Sequence, residues 1–176
     1  MSGRLSGRAS VALISTLFVV GIALDQVTKA IALAKLTPGH PVDVVPQVLQ
    51  LDLVRNPGAA FSTGTGFTVG FSILAACVLG AVIVWVVPKV RSRWWAIIVG
   101  LGLAGVGGNF IDRVFRAPGP FRGHVIDFFS LRHFAVFNVA DILLTATAML
   151  IIIDVVFLRI GLDGAPTDPK ASEDTR

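Results

Sequence analysis

Asp127 and Asp141 are the residues whose type and setting best equip them for chemistry. Asp127 lies in Val125-Ile126-Asp127-Phe128-Phe129, and Asp141 lies in Phe137-Asn138-Val139-Ala140-Asp141 at the head of a long apolar run. An ionisable group at membrane depth is costly and by default marks a functional site. Two carboxylates fourteen positions apart in such surroundings can share a proton, because like charges held close cannot both ionise. That pair supplies an acid and a base for splitting an amide with water. Other catalytic sets are thin. Ser62 and Ser130 are present, and His124 and His133 flank the Asp127 segment, yet no strand–Ser–helix elbow and no His-Glu-x-x-His pair occurs. No metal site is expected.

Further polar residues gather where apolar stretches end. Asn109, Asp112 and Arg113 stand at i, i+3 and i+4, a spacing that puts all three on one helix face. Asn138 and Asp141 are three apart and are expected to share a face of the last helix. Arg55-Asn56-Pro57-Gly58-Ala59-Ala60-Phe61 joins an amide to a turn. Asp25 and Lys29, four apart, can pair along a helix. For Asp25, Lys29, Asp112 and Arg113, hydrogen-bonded glue between helices explains the residues as well as a site does. It serves less well for Asp127 and Asp141, since no cation is placed in sequence to neutralise both.

The elements that must position these groups are membrane helices. Hydrophobic residues make up 54% of the 176, and charged residues only 15%, well below the roughly 25% of soluble domains. Val11–Ala34, Phe67–Val87, Trp94–Ile111 and Val136–Ile160 are each near the ~20 residues that cross a hydrocarbon core. Residues 1–162 are expected to form one membrane-embedded domain, and the polar tail 163–176 to be disordered. Val11–Leu24 is short enough for a signal-peptide core with Ala32-Leu33-Ala34 as its cleavage site, but Asp25 and Lys29 would then intervene. Between the first two helices, Val42-Asp43-Val44 and Leu49-Gln50-Leu51-Asp52-Leu53 alternate as strands do, which predicts a small sheet on the membrane surface. The net charge of +4 comes from cations scattered between apolar spans. Lipid headgroups are therefore the expected counterpart, and nucleic acid is not. Arg4, Arg8 and the basic link Pro88–Arg93 place both termini in the cytoplasm, although Lys35, Arg55, Arg113, Arg116, Arg122 and Arg132 bring the opposite side close to a tie.

Two motifs mislead. Gly100-Leu101-Gly102-Leu103-Ala104-Gly105 matches a dinucleotide fingerprint, but it sits inside an apolar span without strand–turn–helix context. Gly100, Ala104 and Gly108 instead have the small-residue spacing that lets helices approach closely. Leu74-Ala75-Ala76-Cys77 has lipobox form in the wrong place, inside the second span, where Cys77 is expected to be a small buried thiol packing between helices.

Five motifs in order, Leu24-Asp25-Gln26-Val27-Thr28-Lys29, Arg55-Asn56-Pro57-Gly58-Ala59-Ala60-Phe61, Gly107-Gly108-Asn109-Phe110-Ile111-Asp112-Arg113, Val125-Ile126-Asp127-Phe128 and Phe137-Asn138-Val139-Ala140-Asp141, make the chain resemble the bacterial lipoprotein signal peptidases (signal peptidase II). The resemblance covers residues 20–145. It implies an all-α protein of the bacterial plasma membrane, with four transmembrane helices and a small extracytoplasmic sheet between helices 1 and 2. It also implies an aspartic endopeptidase without cofactor that cuts prolipoproteins before a diacylglyceryl-modified cysteine, toward the outer face. Asp127 and Asp141 would be its dyad, with Asn56, Asn109, Arg113 and Asn138 shaping the site and Asp25 and Lys29 supporting it. A small proton-coupled transporter using intramembrane aspartates is the alternative; no internal repeat of the transporter kind supports it. The resemblance leaves oligomeric state open.

Overall fold

The computed structural model describes residues 4–58, 66–132 and 134–167. Ala59–Phe61, Ser62, His133 and residues 168–176 of the tail therefore lie outside the described residues. Helix α1 (Gly7–Lys35) opens on Ser6, whose hydroxyl accepts from the Ala9 amide at 3.2 Å, an N-cap of the usual kind. Helix α3 (Arg93–Phe115) opens the same way on Ser92. Helix α2 (Gly66–Ala81) runs on through a π turn, Val82–Val86, into a short 3₁₀ turn, Val87–Lys89. Pro88 has no amide hydrogen for the α ladder, so the bonding pattern has to change around it. Helix α4 (Val139–Ile153) likewise continues as a π turn, Asp154–Leu158. All four helices are long and apolar enough to cross a membrane.

The spans match the expected ones except at the start of the fourth. Residues Ala135–Phe137 form a strand, and the helix begins at Val139. The sheet is also larger than expected. Strands β1 (Val42–Val45) and β2 (Leu49–Asn56) come from the loop after α1, but β3 (Val125–Leu131) and β4 (Ala135–Phe137) come from between α3 and α4. The four are antiparallel in the order β1-β2-β3-β4. Between β2 and β3 the register slips from Leu51 opposite Phe129 to Val54 opposite Asp127. That bulge lies beside Asp127 and re-aims the neighbouring side chains.

Helix α3 is the central post. Gly100 meets Leu17, Ala104 meets Gly21, and Gly108 meets Asp25, so the small-residue row predicted from sequence faces α1. At Gly108 a Cβ would stand 2.5 Å from the Asp25 carboxylate oxygen Oδ2; only glycine admits that carboxylate. The bundle is closed at the end away from the sheet. There the Leu5 amide donates to Arg91 O at 2.6 Å, and the Arg91 and Ser92 amides donate to Leu162 O at 2.7 and 3.0 Å. Of the polar tail, residues 163–167 turn back on this end, where the Thr167 amide donates to Arg159 O at 2.7 Å.

Candidate active site

Asp127 sits on β3 and is 2% exposed. Its Oδ2 accepts from Asn56 Nδ2 at 2.9 Å across the β2–β3 pair, and its Oδ1 accepts from Asn138 Nδ2 at 2.6 Å. Burial pushes the Asp127 carboxyl up to about 6, against the pull of the Asn56 amide. The nearby Asp141 charge raises it further, while the Asn138 bond and the Lys29 charge oppose it. Buried between neutral donors, this carboxyl holds its proton well above the ordinary range.

Asp141 occupies the third position of α4. Its Oδ1 accepts from Asn109 Nδ2 at 2.8 Å, and its Oδ2 accepts from the Asn138 backbone amide at 3.2 Å. Asn138 is the N-cap of that helix, and its side-chain oxygen accepts from the Asp141 amide at 3.1 Å. The expectation that Asn138 shares a helix face with Asp141 is therefore corrected. Asn138 lies just outside the helix, in extended conformation, and makes a reciprocal capping box with Asp141. The Asn-x-x-Asp spacing carried that signal, which the helical reading missed. From this place one side chain bonds both aspartates, through Nδ2 to Asp127 and through Oδ1 to the Asp141 amide.

Asn109 completes the ring. Its Oδ1 accepts from Lys29 Nζ and from Asn138 Nδ2, both at 3.1 Å. Lys29 can only donate, so it fixes the Asn109 amide with oxygen inward and Nδ2 toward Asp141. Behind this lies a charged cluster. Lys29 Nζ stands 2.8 Å from Asp25 Oδ2 and 2.7 Å from Asp112 Oδ2, and all three side chains are fully buried. Arg116 Nε bonds Asp112, while Gln26 donates to Asp112 at 3.2 Å and accepts from Arg116. Two acids and two bases balance. Their spare oxygens reach the backbone: Asp112 Oδ2 accepts from the Ile126 amide at 3.2 Å, and Asp25 Oδ1 accepts from the Ala140 amide at 2.9 Å. Ile126 and Ala140 immediately precede Asp127 and Asp141 respectively. The cluster thus pins both carriers from behind. Sequence reasoning missed Gln26 and Arg116. Gln26 lay inside a quoted motif, and Arg116 at i+4 from Asp112 was a readable pair.

Asn109 and Asp112 both reach Lys29 of α1, as residues on one helix face can, and Asn109 also bonds Asp141 of α4. Arg113 instead lies over the Phe71 ring of α2, its carbon Cζ 5.6 Å from the ring centre. Arg113 Nη1 is buried without a hydrogen-bond partner among the described residues. Asp141 itself lines an apolar cavity of about 480 Å³ between α4 and the β3–β4 hairpin, walled by Leu131, Phe137, Ile142 and Met149.

The profile of the Signal peptidase (SPase) II family matches residues 17–157. The lipoprotein signal peptidase of Mycolicibacterium smegmatis is 46% identical over 140 residues, 80% of this chain and 59% of its own length. That of Leifsonia xyli subsp. xyli is 45% identical over 161 residues, 89% of this chain and 74% of its own length. This chain thus spans well under two thirds of the first of these relatives and about three quarters of the second. A bacterial membrane enzyme solved by the in meso method at 1.9 Å resolution superposes with a TM-score of 0.73 at 30% identity, over 89% of this chain and 98% of that one.

Proposed function

The chain belongs to the signal peptidase II family, and from that premise we propose that it is a multi-pass aspartic endopeptidase whose dyad is Asp127 and Asp141. The observation that carries the reading is the placement of Asn138, bonded to the Asp127 carboxylate and, through the capping box, to Asp141. Water between the carboxyls loses a proton to the ionised member as its oxygen adds to the scissile carbonyl carbon. The neutral member gives its proton to the carbonyl oxygen, forming a gem-diol. That intermediate collapses as one of its hydroxyls returns a proton to the now-ionised member, the C–N bond breaks, and the departing amine takes the proton held by the other, which leaves the dyad with one proton again. Asp127, held protonated to higher pH by burial, is the natural acid. Asp141, open to the apolar cavity, is the natural base.

The substrate is a prolipoprotein whose cysteine carries a diacylglyceryl group, cut on the amino side of that cysteine. Its acyl chains favour the apolar cavity beside Asp141, and the unpartnered Nη1 of Arg113 is a donor suited to a substrate carbonyl. Asn56, Asn109 and Asn138 position the dyad, with Asp25 and Lys29 behind them. The transporter reading gains nothing, since Asp25 and Asp112 are closed in ion pairs rather than strung along a path. Incubating purified protein with diacylglyceryl-modified prolipoprotein should release the signal peptide, with the mass of the remainder beginning at the modified cysteine. Cleavage at another bond, or none, contradicts the reading.

The termini and the Pro88–Arg93 link are placed in the cytoplasm, with the sheet outside. In a Cys77→Ser background, a cysteine at position 43 should react with an impermeant thiol reagent in intact cells, and one at 91 should not. The reverse pattern inverts the topology.

A further inference from the structure

A separate, more polar cavity of about 280 Å³ lies on the other face of β3 and takes no part in the proposed chemistry. Its walls are Leu33, Arg55, Arg116, Ala117, His124 and Ile126. Successive residues of a strand point to opposite faces, so Ile126 turns to this cavity as Asp127 turns to the dyad. Among the described residues three nitrogen-bearing side chains line it, and no carboxylate does. Arg116 commits Nε to Asp112 and Nη2 to Gln26, which orients the guanidinium and leaves Nη1 for a ligand. Arg55, directly opposite Ile126 in the β2–β3 ladder, makes no ion pair among the described residues. The acids behind the cavity are already matched by Lys29 and Arg116, so no carboxylate is left to pair with Arg55 there among the described residues.

The depth of the cavity narrows the ligand. Leu33 is two residues from the end of α1, and Arg116 is the first residue after α3. Both spans leave the hydrocarbon there, at the level of lipid headgroups. Guanidinium forks favour phosphate oxygens, and with an apolar wall on one side the arrangement suits a phosphate still attached to acyl chains. From this geometry we propose that the Arg55–Arg116–His124 cavity binds a phosphate group, delivered as the headgroup of an anionic phospholipid. Occupancy ties the end of α3 to the β2–β3 pair one residue from Asn56 and from Asp127.

Binding is measured on the full chain in dodecyl maltoside, independently of cleavage, so the result does not depend on the proposed peptidase activity. Dioctanoyl phosphatidylglycerol at saturation should raise Tm by about 3 °C or more, as a ligand specific to the native state does. Dioctanoylglycerol, which has the chains without the phosphate, gives the baseline. Arg55→Gln/His124→Gln should lose most of the rise above that baseline, and Lys35→Gln/Arg132→Gln, which removes two other surface cations, should keep it. Because Arg55 is exposed, Arg55→Gln alone is a milder variant, and it should lose part of the rise. Inorganic phosphate at the same concentration should do nothing; a rise there that the Arg55/His124 variant abolishes overturns the lipid source in favour of the free ion. An undiminished rise in the Arg55/His124 variant, or equal loss in both pairs, overturns the site altogether.

Discussion

Two sets of carboxylates, buried except for the half-buried Asp141, stand back to back in this molecule and are satisfied in opposite ways. Asp25 and Asp112 are met by cations: Lys29 lies between them and Arg116 closes the second. Asp127 and Asp141 are met by amides: Asn56, Asn109, Asn138 and one backbone N–H. Asp25 and Asp112 are tied by their cations into the packing between helices. Asp127 has no cation bonded to it among the described residues, and burial raises its carboxyl to about 6 against the pull of its amide donors. On the proposed function, the difference separates the groups that hold the site from those that act in it, although all four are aspartates near the same ends of the spans.

The comparison breaks most sharply at Lys29. Lys29→Met leaves two buried carboxylates facing each other, and removing one partner of a buried pair costs about 3–5 kcal/mol. Thermal unfolding in detergent should show that loss as a large fall in Tm; a melt close to wild type means the cluster is not neutralised as described. Asn138 comes next, because it serves both roles. Asn138→Ala loses the helix cap, about 1 kcal/mol, and the amide to Asp127, yet should keep measurable cleavage. Asn138→Ser restores an N-cap acceptor but not that amide. It should recover the melting temperature without the turnover, and recovery of both reduces Asn138 to a cap.

Asn56 gives the smallest effect. Its hydrogen bond favours the ionised form of Asp127 and lowers its pKa, so Asn56→Ala raises that pKa beyond about 6. If the reaction needs a neutral Asp127, the alkaline limb of the pH–rate profile moves to higher pH. An unmoved limb, or one moved down, assigns the proton elsewhere. The same shift has a consequence for stability. The folded chain binds the Asp127 proton more tightly than the unfolded one, whose value is near 3.8, so this group adds stability as pH falls from above 6 toward 3.8.

The four spans are legible in the sequence because length sets a span, and Asp127 and Asp141 stand out as candidates because charge in an apolar run does. The strand that carries Asp127 is not. Val125, Ile126, Asp127 and Phe128 are all buried, and a strand covered on both faces lacks the alternation that exposed Leu49–Leu53. The start of α4 was misplaced because Ala135-Val136-Phe137 is apolar enough to continue the span backward, whereas its backbone pairs with β3. The inward set of Asn109 is not readable either. It depends on Lys29, eighty positions away, and on the absence of a side chain at Gly108 that makes room for Asp25.

The central claim is that the amide-held carboxylates act and the cation-held ones support. Its most direct test is one paired measurement: cleavage of a diacylglyceryl-modified prolipoprotein and Tm, on the same preparations of Asp141→Asn and Asp112→Asn. Asp141→Asn should melt near wild type and lose at least about 10²–10⁴-fold in turnover, the contribution of general acid–base catalysis. Asp112→Asn should melt far lower while its folded fraction still cleaves. Near wild-type turnover in well-folded Asp141→Asn contradicts the account.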